Sequence, residues 1–495
     1  MRATLGIDIG TFESKGVIVD SAGNIIAQAA RAHKMQVPRP GWAEHDAMQD
    51  WWGDFVYLTK NLLAQSRIDP KVIGAVAVSA IGPCMLPVDE TGEALTNGVL
   101  YGVDTRAHKE ILDLNDSLEP DVILAHGGNA LTSQSVGPKI LWLQRNRPDI
   151  WKKTHKILTS TSFIVHRLTG KYVMDHYTAA SFGPLYDIKK QTWDDIAGVC
   201  PLEKLPKLMW STDIVGPITE SAAQETGLSL DTVVTCGTID AASEAISVGV
   251  RSAGDMMVMY GSTIFIIALV DQQIAEPSLW HAPWLYEGTF AMMAGLATSG
   301  TLTHWFRDEL AQDLDKSTAF EKLAQEAALS PLGAKGLICL PHFSGERTPI
   351  HNPNAKGAYF GLNLTHNRAD IYRATIEGIA YATRHITDVF TKVNAKPKRV
   401  IAVGGGTKNE IWLQATSDVT GLDQDLHQIS TGASYGNAFL AATALGWANP
   451  EDISTWNPAS HKVSARISQR YDQQYQIYRK LYEQTKNLAK DLDFK

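Results

Sequence analysis

An α/β fold in two similar halves is predicted by three features of the sequence. Strand-like and helix-like apolar patterns alternate along most of the chain, the pattern of sheets covered by helices. A short apolar strand over residues 4–8 runs into a loop of glycine and hydroxyl residues. A weak second copy of that arrangement appears at residues 254–263, so duplicated domains facing one another are expected, with a boundary near residues 249–254.

The elements follow in order. Residues 4–8 and 15–20 read as the strands of a hairpin around the turn-rich Gly10-Thr11-Phe12-Glu13-Ser14, and residues 25–32 continue as a third strand. A helix beginning near Asp50 precedes a buried strand over 71–79, carried by Val72, Ile73, Val76 and Val78, and residues 156–160 resemble another strand. The second glycine loop is followed by an apolar strand at 264–270. Residues 372–389 read as a helix with Ile376, Ile379, Ala380, Ile386 and Phe390 on one face, while the polar tail 469–495 reads as a C-terminal surface helix.

Composition narrows the class of protein. With 495 residues, 44% hydrophobic and 20% charged, the chain suits a folded protein of more than one domain. A net charge of −8 argues against nucleic acid or an anionic membrane as partner. The four cysteines, Cys84, Cys200, Cys236 and Cys339, show no metal-ligand spacing and read as reduced thiols. No secretory pattern opens the chain and no apolar stretch is long enough to span a bilayer, so a cytoplasmic protein is expected.

Three clusters could carry chemistry. In the first, Gly10 would let backbone amides approach an anion, Thr11 and Ser14 would add hydroxyls, Lys15 a point charge, and Asp8 a ligand for Mg²⁺. The alternative is a hairpin turn with a solvated acid and base. In the second, Asp240 follows a strand and turn at a helix start, where it is either an N-cap or a base accepting a proton from an attacking hydroxyl. In the third, Gly404, Gly405 and Gly406 end an apolar strand just before a helix, either as a tight connection or as a surface for a flat ligand.

Order and spacing together resemble the FGGY carbohydrate kinases, over roughly residues 5–445. The resemblance implies two actin-like (ribonuclease H-like) domains facing a catalytic cleft: residues 1–249 binding sugar, and residues 250–495, C-terminal helix included, binding nucleotide. It implies that Gly10, Thr11, Ser14 and Lys15 form a first phosphate motif, Gly261, Ser262 and Thr263 a second, and Gly404, Gly405, Gly406 and Asn409 an adenosine motif. Asp240 aligns with the catalytic base. Gly82, Pro83, Cys84, Asp104 and Arg106 fall on the sugar side, and Gly41-Trp42-Ala43-Glu44-His45-Asp46 matches a further family segment. The implied reaction moves the γ-phosphate of MgATP to a terminal hydroxyl of a small sugar, a ketopentose such as xylulose first, with glycerol, another polyol or a sugar acid as alternatives. An ATP-switched actin-like protein of the same superfamily would need neither Asp240 nor the sugar-side residues. Homodimers are common among such kinases.

The chain also departs from the family. Phe12 and Glu13 stand where Thr or Ser is usual, residues 79–84 replace a Gln-Met-His stretch, and Ala241 replaces an amide that often follows the base.

Overall fold

The computed structural model of the chain describes residues 2–274 and 276–492. These form two compact units. The first holds the described residues up to Ala253, those of Val270–Ala291, and Thr431–Pro458; the second holds Gly254–Leu269, Met292–Ser430 and the described residues from Ala459 onward. Residues 493–495 of the expected C-terminal helix lie outside the described residues.

In the first unit, β1 (Ala3–Ile9), β2 (Glu13–Asp20) and β3 (Ile25–Ala32) make an antiparallel meander. A wide π-type turn over Ala47–Trp52, capped by Asp46, feeds α1 (Gly53–Ser66). The sheet then grows by β4 (Ile73–Ala80), β5 (Ile214–Pro217) and β6 (Val233–Thr235), giving the order β5-β6-β4-β1-β2-β3. β4 runs parallel to both β1 and β6, and Leu5, Ile7, Val76 and Val78 lie in the core between sheet and helices. α2 (Asp240–Ser247) leaves this sheet. The helix Ala433–Ala444 packs against β1 at Gly6, where a Cβ would fall 1.9 Å from the Ser434 carbonyl. Only glycine permits that approach.

The second unit repeats the plan. β7 (Asp255–Tyr260) and β8 (Ile264–Val270) form an antiparallel hairpin. With β9 (Phe290–Leu296), β10 (Arg399–Val403), β11 (Gln424–His427) and β12 (Ala459–Val463), the order is β9-β8-β7-β10-β11-β12. As in the first unit, the hairpin's first strand pairs parallel with the next strand, a further parallel strand follows, and an antiparallel strand closes that side. The weak repeat in the sequence is a repeat of topology.

The helix expected at 372–389 runs Arg368–Lys392, begun by a capping box between Asn367 and Asp370, a device worth about 1 kcal/mol. The polar tail differs from its expectation. Gln469–Thr485 is a helix whose Tyr471, Tyr475, Tyr478 and Tyr482 are buried, with the Tyr471 hydroxyl donating to Glu377 at 2.9 Å. Tyrosines three or four apart bury their rings while keeping a polar tip, so the tail's polar composition conceals an apolar face. Among the described residues, no helix is long and apolar enough to cross a membrane.

Candidate active site

The first glycine loop, between β1 and β2, is set by its hairpin register, in which Asp8 faces Lys15 and Ile9 faces Ser14. Gly10 closes the loop by donating to the Glu13 carbonyl at 3.2 Å. The Thr11 hydroxyl and the Tyr101 phenol lie 3.1 Å apart in a hydrogen bond, and Lys15 lies 3.2 Å from Glu13 with both side chains half exposed. Ser14 behaves otherwise: its side chain is fully buried and its hydroxyl donates to Asp54 at 2.6 Å, so it presents no side-chain atom to a ligand. Alternation along β2 explains this, since Ser14 and Lys15 must point to opposite faces.

Asp8 leaves the same strand toward Asp240 and Glu244, which sit one turn apart on α2. All three carboxylates are recessed but keep some exposed surface. Burial holds Asp8 and Asp240 well above the usual carboxylate range, the charge of Asp8 lifting Asp240 further and Glu244 adding to it. Glu244 is pushed up to about 7, by burial and then by Asp8. Like charges crowded in a recess resist ionising together. A relay aims Asp8: Asn437 donates to the Ser79 hydroxyl at 2.8 Å, and Ser79 donates to Asp8 at 2.7 Å. Among the described residues, Asp240 accepts only the neighbouring Ala241 amide, at 2.7 Å, and does not cap its helix in the usual way, so an oxygen remains for other work. Carboxylate oxygens are hard donors of the kind that hold a divalent cation such as Mg²⁺, although among the described residues the ligand atoms of these three do not all gather within 4.8 Å of one another.

The sugar-side residues separate into two environments. Gly82 lies against Ile239, next to Asp240: a Cβ there would fall 2.8 Å from the Ile239 side chain. Pro83 and Cys84 follow it into the interior, where the Cys84 thiol is wholly enclosed, donates to the Ile81 carbonyl at 3.4 Å and is pushed up to about 12 by burial. Asp104 and Arg106 pair with each other at 2.7 Å. Asp104 also accepts the Ala43 amide at 2.7 Å, and Arg106 also bonds Glu44 at 2.8 Å beneath Trp42, whose ring centre is 3.9 Å from the guanidinium. This cluster closes the Gly41–Asp46 segment onto the rest of the unit. Beside Asp104 lies a cavity of about 290 Å³ that also touches Lys139, whose buried ammonium donates to the carbonyls of Leu100 and Tyr101 at 2.6 and 3.1 Å.

In the second unit a pocket of about 760 Å³ is lined by the second and third glycine clusters, through Gly261, Ser262, Gly405, Gly406 and Asn409. Thr263 and Gly404 are not among its lining residues. Thr263 accepts the Gly261 amide at 3.0 Å, while Gly404, at φ 93°, would put a Cβ 2.7 Å from the Tyr260 carbonyl. Asn409 caps the helix Glu410–Thr420, accepting the Trp412 amide at 3.2 Å. Tyr260, Tyr372, Trp412, Phe320 and Ala324 also line the pocket. A slot with apolar walls beside glycine backbone suits a flat heterocycle with phosphates at one end.

The two domain signatures of the FGGY family of carbohydrate kinases match the chain in succession, the N-terminal domain over residues 3–247 and the C-terminal domain over 256–445. The chain belongs to this family. FGGY kinases are sugar kinases, which makes ATP the phosphate donor. The chain is 28% identical to a xylulose kinase of Staphylococcus epidermidis over 99% of its own length and 98% of the relative's. It is 29% identical to the xylulose kinase of Escherichia coli over 97% and 98%. The crystal structure of xylulose kinase from Rhodospirillum rubrum superposes with a TM-score of 0.93 at 27% identity, covering 99% of this chain and 100% of that one. The expected two-domain actin-like α/β fold of this FGGY kinase stands.

Several further residues around the site were not among those expected from the sequence. Glu244 shares a helix face with Asp240 at four-residue spacing, the one signal of this group that the sequence carries. Ser299, Gly300 and Thr301 grip the second loop, donating to the carbonyls of Gly261 and Ser262 at 3.0–3.2 Å. His33 and His45 grip the first, at 3.0 and 3.1 Å.

Proposed function

We propose that the chain phosphorylates a terminal hydroxyl of a ketopentose, D-xylulose first among them, with MgATP as donor. The observation that carries the proposal is full-length similarity to proteins named xylulose kinases, at 28–29% identity. In this reading Asp240 takes the proton of the attacking hydroxyl as the new bond forms, and its raised affinity for protons suits a base working near neutral pH. Gly10, Thr11 and Lys15 hold phosphate in the first unit, as Gly261, Ser262 and Thr263 do in the second, while Gly404, Gly405, Gly406 and Asn409 flank the adenosine. Asp8 holds Mg²⁺. Little covalent chemistry is asked of the protein, so rate comes from alignment and charge.

Gly82 and Pro83 form the wall beside Asp240, and Asp104 with Arg106 holds the neighbouring segment in place. That wall offers no side-chain hydrogen-bond donor, so selection among sugar hydroxyls rests on other parts of the first unit. A cytoplasmic enzyme, alone or as a homodimer, fits the same reading.

The test is ADP release measured across C3 to C7 ketoses, polyols and aldonic acids. The expected result is strict dependence on sugar with a ketopentose preferred. An aldonic acid or seven-carbon sugar ahead by more than about a hundredfold in kcat/KM, some ~2.7 kcal/mol, would overturn the ketopentose assignment. ATP turnover blind to sugar would overturn the whole reading.

A further inference from the structure

The first glycine loop is gripped from behind by two histidines. Three successive carbonyls are taken: the His33 ring Nε2 lies 3.0 Å from the Gly10 oxygen, the His45 ring Nε2 lies 3.1 Å from the Thr11 oxygen, and the His33 amide donates to the Phe12 oxygen at 2.9 Å. In a trans peptide the carbonyl of one residue and the amide of the next point in opposite directions. With the Gly10 and Thr11 carbonyls turned toward the histidines, the amides of Thr11 and Phe12 are therefore turned the other way. Successive amides presented on one side form an anion-binding concavity.

The partners of each ring determine its protonation. His33 Nδ1 is 2.8 Å from the Asp54 carboxylate, and its Nε2 faces a carbonyl. Both partners are pure acceptors, so the ring satisfies both only with a proton on each nitrogen. His45 is the opposite case. Its Nδ1 accepts the Trp51 indole N–H at 3.1 Å, a group that only donates, so the single proton of a neutral ring belongs on Nε2, facing Thr11. The two rings meet edge to face, 5.0 Å apart. Around His33 the charged groups are Asp54 on α1, Asp50 in the preceding turn, and Arg31 on β3, which lies 3.2 Å from Asp54. Asp54 also accepts the Ser14 hydroxyl, which ties the start of β2 to the same anchor.

We propose that His33 and His45 are positioning residues for the first glycine loop, His33 as an imidazolium anchored by Asp54 and His45 as a neutral donor of fixed tautomer. Together they orient the loop amides toward nucleotide phosphate. The proposal rests on the reading of this loop as a phosphate site. It agrees with the directions in which the two rings are shifted: Asp54 raises His33 above the ordinary imidazole value against its burial, while burial and the neighbouring His33 lower His45 to about 4. As pH rises through the His33 value, the Gly10 carbonyl faces a bare ring nitrogen and the loop loses its charged anchor.

The experiment measures binding of β,γ-imido-ATP and of AMP to the full-length protein by calorimetry, alongside imidazole nitrogen NMR and melting temperature. His33→Ala is expected to weaken β,γ-imido-ATP about tenfold and AMP hardly at all, the loss of one charge-assisted bond. His33→Gln, which can still offer an uncharged N–H to Gly10, is expected to recover part of that loss and to flatten the alkaline fall in affinity seen in the native protein. Gly10→Ala places a Cβ 2.4 Å from the Glu13 carbonyl and so distorts the loop itself. If Gly10→Ala weakens β,γ-imido-ATP and His33→Ala does not, the positioning role is wrong while the phosphate reading stands. If neither variant weakens it, the phosphate reading fails and this proposal with it. A neutral His33 ring at pH 7, an equal loss of AMP affinity, or an unchanged alkaline fall in His33→Gln would each overturn the proposal. Melting temperatures separate a general loss of folding from these outcomes.

Discussion

The two hairpin loops share a shape and divide the chemistry. Each follows the first strand of its unit, each begins with glycine, and each closes by an amide donating to a carbonyl two or three residues on. Yet where β1 and β2 pair Asp8 with Lys15, the matching step of β7 and β8 pairs Met259 with Phe265. Charge belongs to one copy only. The anchors differ in the same sense: the first loop hangs on two histidines and Asp54, the second on the amides and hydroxyls of Ser299, Gly300 and Thr301, which do not titrate near neutral pH. Duplication supplied two frames, and the side chains placed on them gave one a group of recessed acids and the other a pocket lined by aromatic rings and glycines.

Removing the proposed base tests this division most severely. Asp240→Asn should lower turnover by about 10²–10⁴-fold, while nucleotide affinity, to which the proposed reading gives Asp240 no contact, stays near the native value. Steady-state rates and calorimetric ADP binding decide it, and a variant keeping more than half the native turnover would break the comparison.

The next effect is on stability. Asp8, Asp240 and Glu244 bind protons more tightly folded than unfolded, so native stability falls as pH rises from the ordinary carboxylate range through their raised values. A divalent cation should recover that loss, contributing about 2.7 kcal/mol at a hundred times its dissociation constant. The melting temperature should therefore respond to Mn²⁺ or Mg²⁺ more at pH 8 than at pH 5, and Asp8→Asn should blunt the response. An equal response in Asp8→Asn places the cation elsewhere.

A smaller effect is expected at the second loop's anchor. A Cβ on Gly300 would fall 2.4 Å from the Gly261 carbonyl, so Gly300→Ala must push the loop away. Strain of this kind costs about 1–3 kcal/mol, and ADP affinity should drop about tenfold without any change in the pH dependence of binding. A new pH dependence in that variant would mean the two loops are not independently anchored. Smallest of all should be Tyr101→Phe, which removes the hydroxyl contact to Thr11. A neutral hydrogen bond is worth about 1 kcal/mol or less, so the KM for ATP should rise by no more than about fivefold.

How much was legible before folding follows from the distance over which each signal acts. The meander, its glycine turns and the long helix around Ile376 were readable because period and turn chemistry are local properties of the chain. Asp240 was readable as a candidate because a strand, a glycine turn and a helix start adjoin it in sequence. The role of Ser14 was misplaced, because hydroxyls on a strand look alike until the pleat assigns them to faces. The C-terminal helix looked purely exposed because four tyrosines read as polar punctuation in a charged tail.

By itself the sequence determined the class of the protein: alternating elements, two glycine hairpins in a repeated frame, and a family whose motifs occur in order. Only the tertiary structure decided the partners. Asn437 reaches the Ile7 carbonyl 430 residues away, and Ser79 meets Asp8 across 71. His33 finds Asp54 and Gly10 across spacings that no periodicity marks. Propensity and patterning act over a few residues, whereas a side chain's proton, its tautomer and the direction of a carbonyl are set by whatever distant group the packed sheet brings within about 3 Å.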